Sequence, residues 1–136
     1  NNYFIEQYIR ARESYNLNDL RRNYPTVRVM SEVGTVYSQF VREASPSNPL
    51  SPAARLGSAG TRSVKFKSIT YIKPRLAQAR LLIEETAANG GVVQYHKIAT
   101  ITFEYEKLAL TTEERYINPL GFQVIEYRID EDALPK

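Results

Sequence analysis

The hydrophobic period of this chain changes once, and a proline- and serine-rich stretch marks the change. Over residues 2–42, Tyr8, Ile9, Leu17, Leu20, Val27, Met30, Val33, Val36, Tyr37, Phe40 and Val41 recur at three- and four-residue steps, the spacing of a one-sided helix. From residue 64 to about 131 the period falls to two, and β-branched and aromatic residues become frequent, as in strands that bury one face. Between them, residues 43–63 hold Pro46, Pro49, Pro52, Gly57 and Gly60 among several serines. A helical stripe and a half-apolar sheet each need a covering layer. The expected fold is α+β, with N-terminal helices packed on a curved four-stranded antiparallel sheet as a roll.

Local signals divide these regions further. Pro25 is expected to interrupt the helical stretch, because the residue before a proline is pushed out of α geometry, which gives two or three helical pieces. Ser31 either caps or continues the piece it lies in. Gly34 weakens the last piece, or its missing side chain permits close packing. Ser51-Pro52 reads as an N-cap and first-turn proline, predicting a short helix at 52–56. Composition does not choose between an ordered and a mobile path for the rest of the crossing segment.

In the first strand, Val64 and Phe66 alternate with Lys65 and Lys67, but Ile69 and Tyr71 fall on the lysine parity. Either a bulge or a strand buried on both faces explains this. Lys73-Pro74-Arg75 makes a turn, and Asn89-Gly90-Gly91 is a strong hairpin signal. The second strand presents Ala77, Ala79, Leu81 and Ile83 on one face, and the third presents Ala99, Ile101, Phe103 and Tyr105. A polar link at 111–116 then leads to Asn118-Pro119-Leu120-Gly121, a rigid turn that aims the last strand.

One domain of 136 residues is long enough to bury roughly 70% of its unfolded surface. With 43% hydrophobic and 24% charged residues, the chain is an ordinary globular sequence, and no apolar run approaches a membrane span. It opens on polar Asn1-Asn2 without an initiator Met or a signal peptide, which leads to the expectation of a fragment whose upstream targeting or membrane segment is absent. A net charge of +3 with dispersed basic residues lacks the dense stripe of a DNA-binding face, so no direct nucleic-acid binding is expected.

The absence of cysteine removes disulfides, thiolate catalysis and zinc-thiolate sites. His96 is the lone histidine, on the more polar parity of its strand, and it reads as a solvated or hydrogen-bonded side chain rather than a base. Glu84 and Glu85 point to opposite faces, which spoils them as an acid–base pair. Asp130-Glu131-Asp132 lacks the spacing of a calcium loop. No catalytic residue, cofactor or metal is therefore expected. If the roll instead held an isomerase-like or small-molecule site, Tyr71, Tyr105, Asp19 and Glu126 would be the side chains to inspect. Ten tyrosines and no tryptophan suit half-buried surfaces and interfaces. Tyr3, Tyr8 and Tyr15 lie on the first helical region beside Arg12 and Glu13, either capping the mouth of the sheet or facing another subunit.

Tyr8-Ile9-Arg10-Ala11-Arg12-Glu13-Ser14-Tyr15, then Tyr24, Val27, Met30 and Ser31, then Asn118-Pro119-Leu120-Gly121-Phe122-Gln123-Val124 before Tyr127-Arg128, together resemble one family. It is the periplasmic domain of the bitopic inner-membrane assembly factor of type IV secretion systems, the eighth component of the VirB series. The resemblance implies a nuclear-transport-factor-2-like roll and a non-enzymatic scaffold. It implies self-association as a dimer or larger ring, contacts with other channel subunits, and attachment to the inner membrane through an upstream helix. By position, Asn118, Pro119 and Gly121 match the family's structural turn, and Tyr127 and Arg128 match the strand after it. Tyr8, Arg12, Tyr15, Tyr127 and Arg128 are the expected partner-binding residues. The segment 44–62 looks longer than the family needs.

Overall fold

The computed structural model describes residues 2–133. Helices α1 (Asn2–Glu13), α2 (Leu20–Met30), α3 (Ser38–Ala44) and α4 (Pro52–Leu56) precede strands β1 (Thr61–Lys73), β2 (Leu76–Thr86) and β3 (Val92–Tyr105); helix α5 (Thr112–Ile117) leads to β4 (Phe122–Glu131). The strands form one antiparallel sheet in sequence order, the α+β roll that the change of period predicts. No described helix is long and apolar enough to cross a membrane.

Side-chain size decides how the helices sit on the sheet. Ala77 and Ala79 of β2 and Ala99 of β3 are fully buried, with Ala79 and Ala99 directly opposite each other. The room they leave is filled within the same cluster by Ile5, Tyr8 and Ile9 of α1 and by Val27 and Met30 of α2. Each large apolar side chain buried there contributes about 1.5–3 kcal/mol. Around this centre, Leu81, Ile83, Ile101 and Phe103 close the inner face.

The helical region breaks elsewhere than at Pro25. Pro25 lies inside α2 and Tyr24 is helical, which corrects the expected interruption. Packing outweighs the missing N–H: the Tyr24 ring stands edge-on to Phe40 at 5.3 Å, and Val27 and Met30 are buried beneath. The first real break is Ser14–Asn16, where Tyr15 leaves the helix to pair antiparallel with Arg62. Ser31 makes the second break as the C-cap of α2, with its backbone N–H donating to Arg28 O. It is extended (φ −112°, ψ 144°), bridges in parallel to Val124, and bonds the Tyr8 hydroxyl at 2.8 Å. A π-helical turn, Val33–Tyr37, follows. A Cβ on Gly34 would meet nothing within 4 Å, so close packing does not explain that glycine.

The crossing segment is ordered by side-chain bonds to its backbone. Asn48 Nδ2 donates to Glu43 O, and Asn48 Oδ1 accepts from Leu50 N. Ser51 Oγ caps the short helix by accepting from Ala54 N. Strand β1 begins at Thr61, earlier than its alternation shows. Its register shifts between Phe66 and Ser68: the parity conflict is a bulge at Lys67. The link at 111–116 contains a helix instead, and a capping box marks its start. Thr111 Oγ1 accepts from Glu114 N, and Glu114 Oε1 accepts from Thr111 N.

The turn into β4 is more than a bend. Asn118 is fully buried. Its amide donates to Val29 O and Phe122 O, while its Oδ1 accepts from Phe122 N at 2.8 Å. One side chain thus ties the end of α2 to the start of β4. Gly121 has φ 66°, and a Cβ there would stand 1.8 Å from Glu106 O. Gly121→Val is expected to cost at least about 3 kcal/mol, since backbone strain and an immovable backbone clash act together. Gly34→Ala, in open space at negative φ, should instead raise stability by about 0.5 kcal/mol. Thermal unfolding of the two variants beside the parent checks both.

Candidate functional site

A cleft of about 320 Å³ opens between the C-terminal half of α1, the start of α2, α3 and the crossing segment. Leu20, Tyr24, Phe40 and Leu50 supply apolar wall, and Arg12, Glu13, Arg55 and Arg62 supply charge. These charges belong to a chain of bonds that runs beneath the cleft. The Tyr127 hydroxyl donates to Glu13 Oε2 at 2.6 Å. Glu13 Oε1 accepts from Arg62 Nη2 at 3.1 Å, and Arg62 Nη1 reaches Glu85 Oε2 at 2.8 Å. Arg55 then grips both oxygens of Glu85 at 2.7 and 2.8 Å. Five residues from α1, α4, β1, β2 and β4 are joined in this way.

Arg12 forms a second branch. Its guanidinium lies 4.2 Å from the centre of the Tyr127 ring and 5.5 Å from that of Phe40. It donates to the Tyr8 hydroxyl at 2.8 Å and to Glu43 at 3.2 Å. Tyr8 passes the contact on to Ser31. A buried cation between two aromatic faces is favourable because the ring faces replace part of its lost hydration.

The protonation states are fixed by this setting. Burial pushes the Tyr127 hydroxyl well above the usual phenol range, and the adjacent Glu13 carboxylate raises it further. Burial likewise raises Tyr8, against the pull of Arg12. Hydrogen bonds from Arg55 hold the Glu85 carboxyl at about 2; burial opposes them and Arg62 adds to them. A neutral phenol, an ionised Glu85 and committed guanidiniums hold shape rather than move protons near neutral pH.

The five expected partner-binding residues therefore separate. Tyr8, Arg12, Tyr15 and Tyr127 are buried within the chain, which leaves them little surface to offer a partner. Tyr15 donates to Gly57 O at 2.5 Å. For Tyr127 the reason is a bulge in β4: the register slips between Thr102 and Phe103, leaving Ile125 extra. Strict alternation from Val124 would send Tyr127 outward, and the slip turns it in. Arg128 lies on the outer face with 71% of its side chain exposed, beside Asp130 at 2.7 Å. It borders a second groove with Gln39, Arg42, Thr100, Thr102 and Glu126.

The residues named for an enzymatic alternative do not converge. Asp19 pairs with Arg22 at the surface, Glu126 is exposed on β4, and the Tyr71 hydroxyl reaches Asn2. Tyr105 packs edge-on against Phe103 and Phe122 beneath Arg75. His96 Nδ1 meets Lys67 Nζ. Asp130, Glu131 and Asp132 pair with Arg128, Lys97 and Arg80. Among the described residues no three His, Asp or Glu gather to hold a metal. The sequence shows Glu85 only as a residue facing away from Glu84, and it does not single out Arg62 and Arg55 as its partners. The available signal was parity, because Glu85 shares the buried face of Leu81 and Ile83, where a carboxylate requires a cation.

Glu85 gives the fold an acid limit. Its folded pKa of about 2 lies below the ordinary value of 4.5, so its stabilisation is complete above about pH 4.5 and lost as pH falls toward 2. Glu85→Gln is expected to melt lower than the parent at pH 7 and to show a flatter loss of stability across that window. Melting temperature followed against pH decides this.

The family described as VirB8 protein matches residues 1–132. The type IV secretion system protein virB8 of Bartonella quintana is 33% identical over 97% of this chain, which spans 56% of that relative's length. Among solved structures, Agrobacterium tumefaciens VirB8 superposes with a TM-score of 0.90 at 25% identity, covering 99% of this chain and 92% of that one. The TrwG component from Bartonella birtlesii gives 0.88 at 30% identity, covering 98% and 92%. The buried turn, the helix-on-sheet roll and these likenesses agree: the chain belongs to the VirB8 family of type IV secretion system proteins.

Proposed function

We propose that this domain is a non-enzymatic scaffold and assembly subunit of a type IV secretion channel, acting by self-association and by contacts with other channel subunits. On this reading it works at the periplasmic face of the inner membrane, held by a membrane helix outside these residues. The observation that carries the binding reading is how the interior charges are used. Glu13, Arg62, Glu85 and Arg55 bind one another in series, and Tyr127 and Arg12 close the chain. Such a network stiffens the wall of the cleft and leaves recognition to exposed groups.

Arg128 is the exposed group on which self-association is placed. It stands opposite Thr100 on the outer sheet face, next to the groove under α3. Arginine at the centre of a modest interface gives reversible affinity, which suits a machine built in stages. The alternative, an isomerase-like or small-molecule-binding roll, would use the cleft, whose charged residues already bind one another.

The domain is expected to self-associate with a dissociation constant of about 1 μM, corresponding to about 8 kcal/mol. Arg128→Glu would place a third carboxylate beside Glu126 and Asp130, weakening association about tenfold with an unchanged melting temperature. Sedimentation of both proteins is the measurement. A strict monomer at the highest soluble concentration, or equal loss of stability in the variant, would count against the proposal.

A further inference from the structure

The outer edge of β4 changes character along its length. β4 ends the sheet, and its first residues are already partnered on that side. Phe122 O accepts from the Asn118 amide, Phe122 N donates to Asn118 Oδ1, and Val124 O accepts from Glu32 N at 2.9 Å. On the inner side, Asp132 N donates to His96 O, and the register runs without a slip from the Lys97–Glu131 pair to the Thr102–Glu126 pair. Ladder bonds alternate along an antiparallel pair. Glu126, Arg128 and Asp130 therefore turn their main chain to β3, while Tyr127, Ile129 and Glu131 turn theirs away from it. Among the described residues, no hydrogen bond reaches those three outward N–H and C=O pairs. Main-chain groups left in that condition are a template for another strand, and the bulge at Ile125 lies before them.

A helix stands across from this edge. The groove beside Arg128 encloses about 640 Å³, with Thr35, Gln39 and Arg42 on one bank and Glu126, Tyr127 and Arg128 on the other. This sets the shape of an occupant. An added strand lies about 4.8 Å from β4, whereas a folded second copy using the same edge would bring its own α3 against this one. Charge sets the chemistry. Arg128 is paired with Asp130, but Arg42 is exposed and makes no ion pair among the described residues. Every second side chain of an added strand would face α3, where a carboxylate meets Arg42.

We propose that the edge of β4 from Tyr127 to Glu131 receives an extended segment of a different protein, laid between β4 and α3 with a carboxylate toward Arg42. Main-chain bonds supply the generic part of such binding and the charge pair supplies the choice of partner. The inference rests on the assembly reading for a protein as occupant, and sedimentation without peptide reads self-association separately.

The test uses the 136-residue chain, isotope-labelled for amide spectra, and a peptide of about six residues alternating glutamate and valine, so that its carboxylates share one face. Before peptide is added, the amides of Tyr127, Ile129 and Glu131 should exchange faster than those of Arg128 and Asp130; with peptide they should become protected. Arg42→Glu should bind about tenfold more weakly, melt like the parent, and gain affinity for the lysine-valine counterpart. A peptide N-methylated on its pairing edge should not bind. A chain that sediments as a monomer and still protects these amides would refute self-association and support the groove. Amides that stay unprotected would overturn the proposal, even in a chain that dimerises. So would protection before peptide is added, which would mean that a second copy already holds the edge. Undiminished binding of the N-methylated peptide, or an unchanged affinity in Arg42→Glu, would overturn it as well.

Discussion

Arg62 lies between two carboxylates, Glu13 and Glu85, and the upper end of this domain is arranged around keeping those three charges together. Each is taken largely out of water, at a cost of several kcal/mol per ion unless its partners stay in place. Their positions follow from that requirement. Glu13 is the last residue of α1, so the helix must end where Arg62 can reach it, and Arg62 also takes the Glu13 backbone carbonyl at 2.7 Å. Arg55 must stand over Glu85, which gives the capped helix α4 a reason to exist within an otherwise irregular crossing. Tyr127 must turn inward to complete Glu13, and the bulge at Ile125 lets it.

A buried ionic chain of this kind is poor at adding stability, because apolar residues of similar size would pack as well. Its value is directional. Removing one member strands the others without solvent, so the elements that carry them are held in one relative arrangement. The opposite end of the sheet uses a neutral device for the same purpose. Asn118 satisfies the ends of α2 and β4 with one amide, and Gly121 lets the chain pass against Glu106. Between the two ends, the alanines of β2 and β3 set the depth to which α1 sinks. On the proposed reading, the surface left for a partner is the outer sheet face around Arg128.

Much of the fold is legible in the residues. The change from a helical to a two-residue period, the Asn89-Gly90-Gly91 hairpin and the Ser51-Pro52 cap each act within a few residues of themselves, so the sequence displays them. The Lys67 bulge was visible as a parity conflict at Ile69 and Tyr71. Helix α5 is equally local, written as Thr111 and Glu114, but its polar surroundings give it no apolar stripe. Less of the candidate site could be read. Tyr8, Arg12, Tyr15 and Tyr127 were identified as residues that matter, but the direction they face was not.

That division has a physical origin. The sequence by itself determines the kinds of element, their order, the rigid turn at Asn118 to Gly121 and the likeness to one family, because these depend on near-neighbour sterics and on short motifs. Only the tertiary structure decides that α2 runs through Pro25, that Ser31 is drawn out to Val124, that Tyr127 turns in while Arg128 stays out, and that Glu13, Arg62 and Glu85 find one another. Each of these outcomes depends on a partner far along the chain. Packing and charge pairing at a distance outweigh local preferences of about 1–3 kcal/mol.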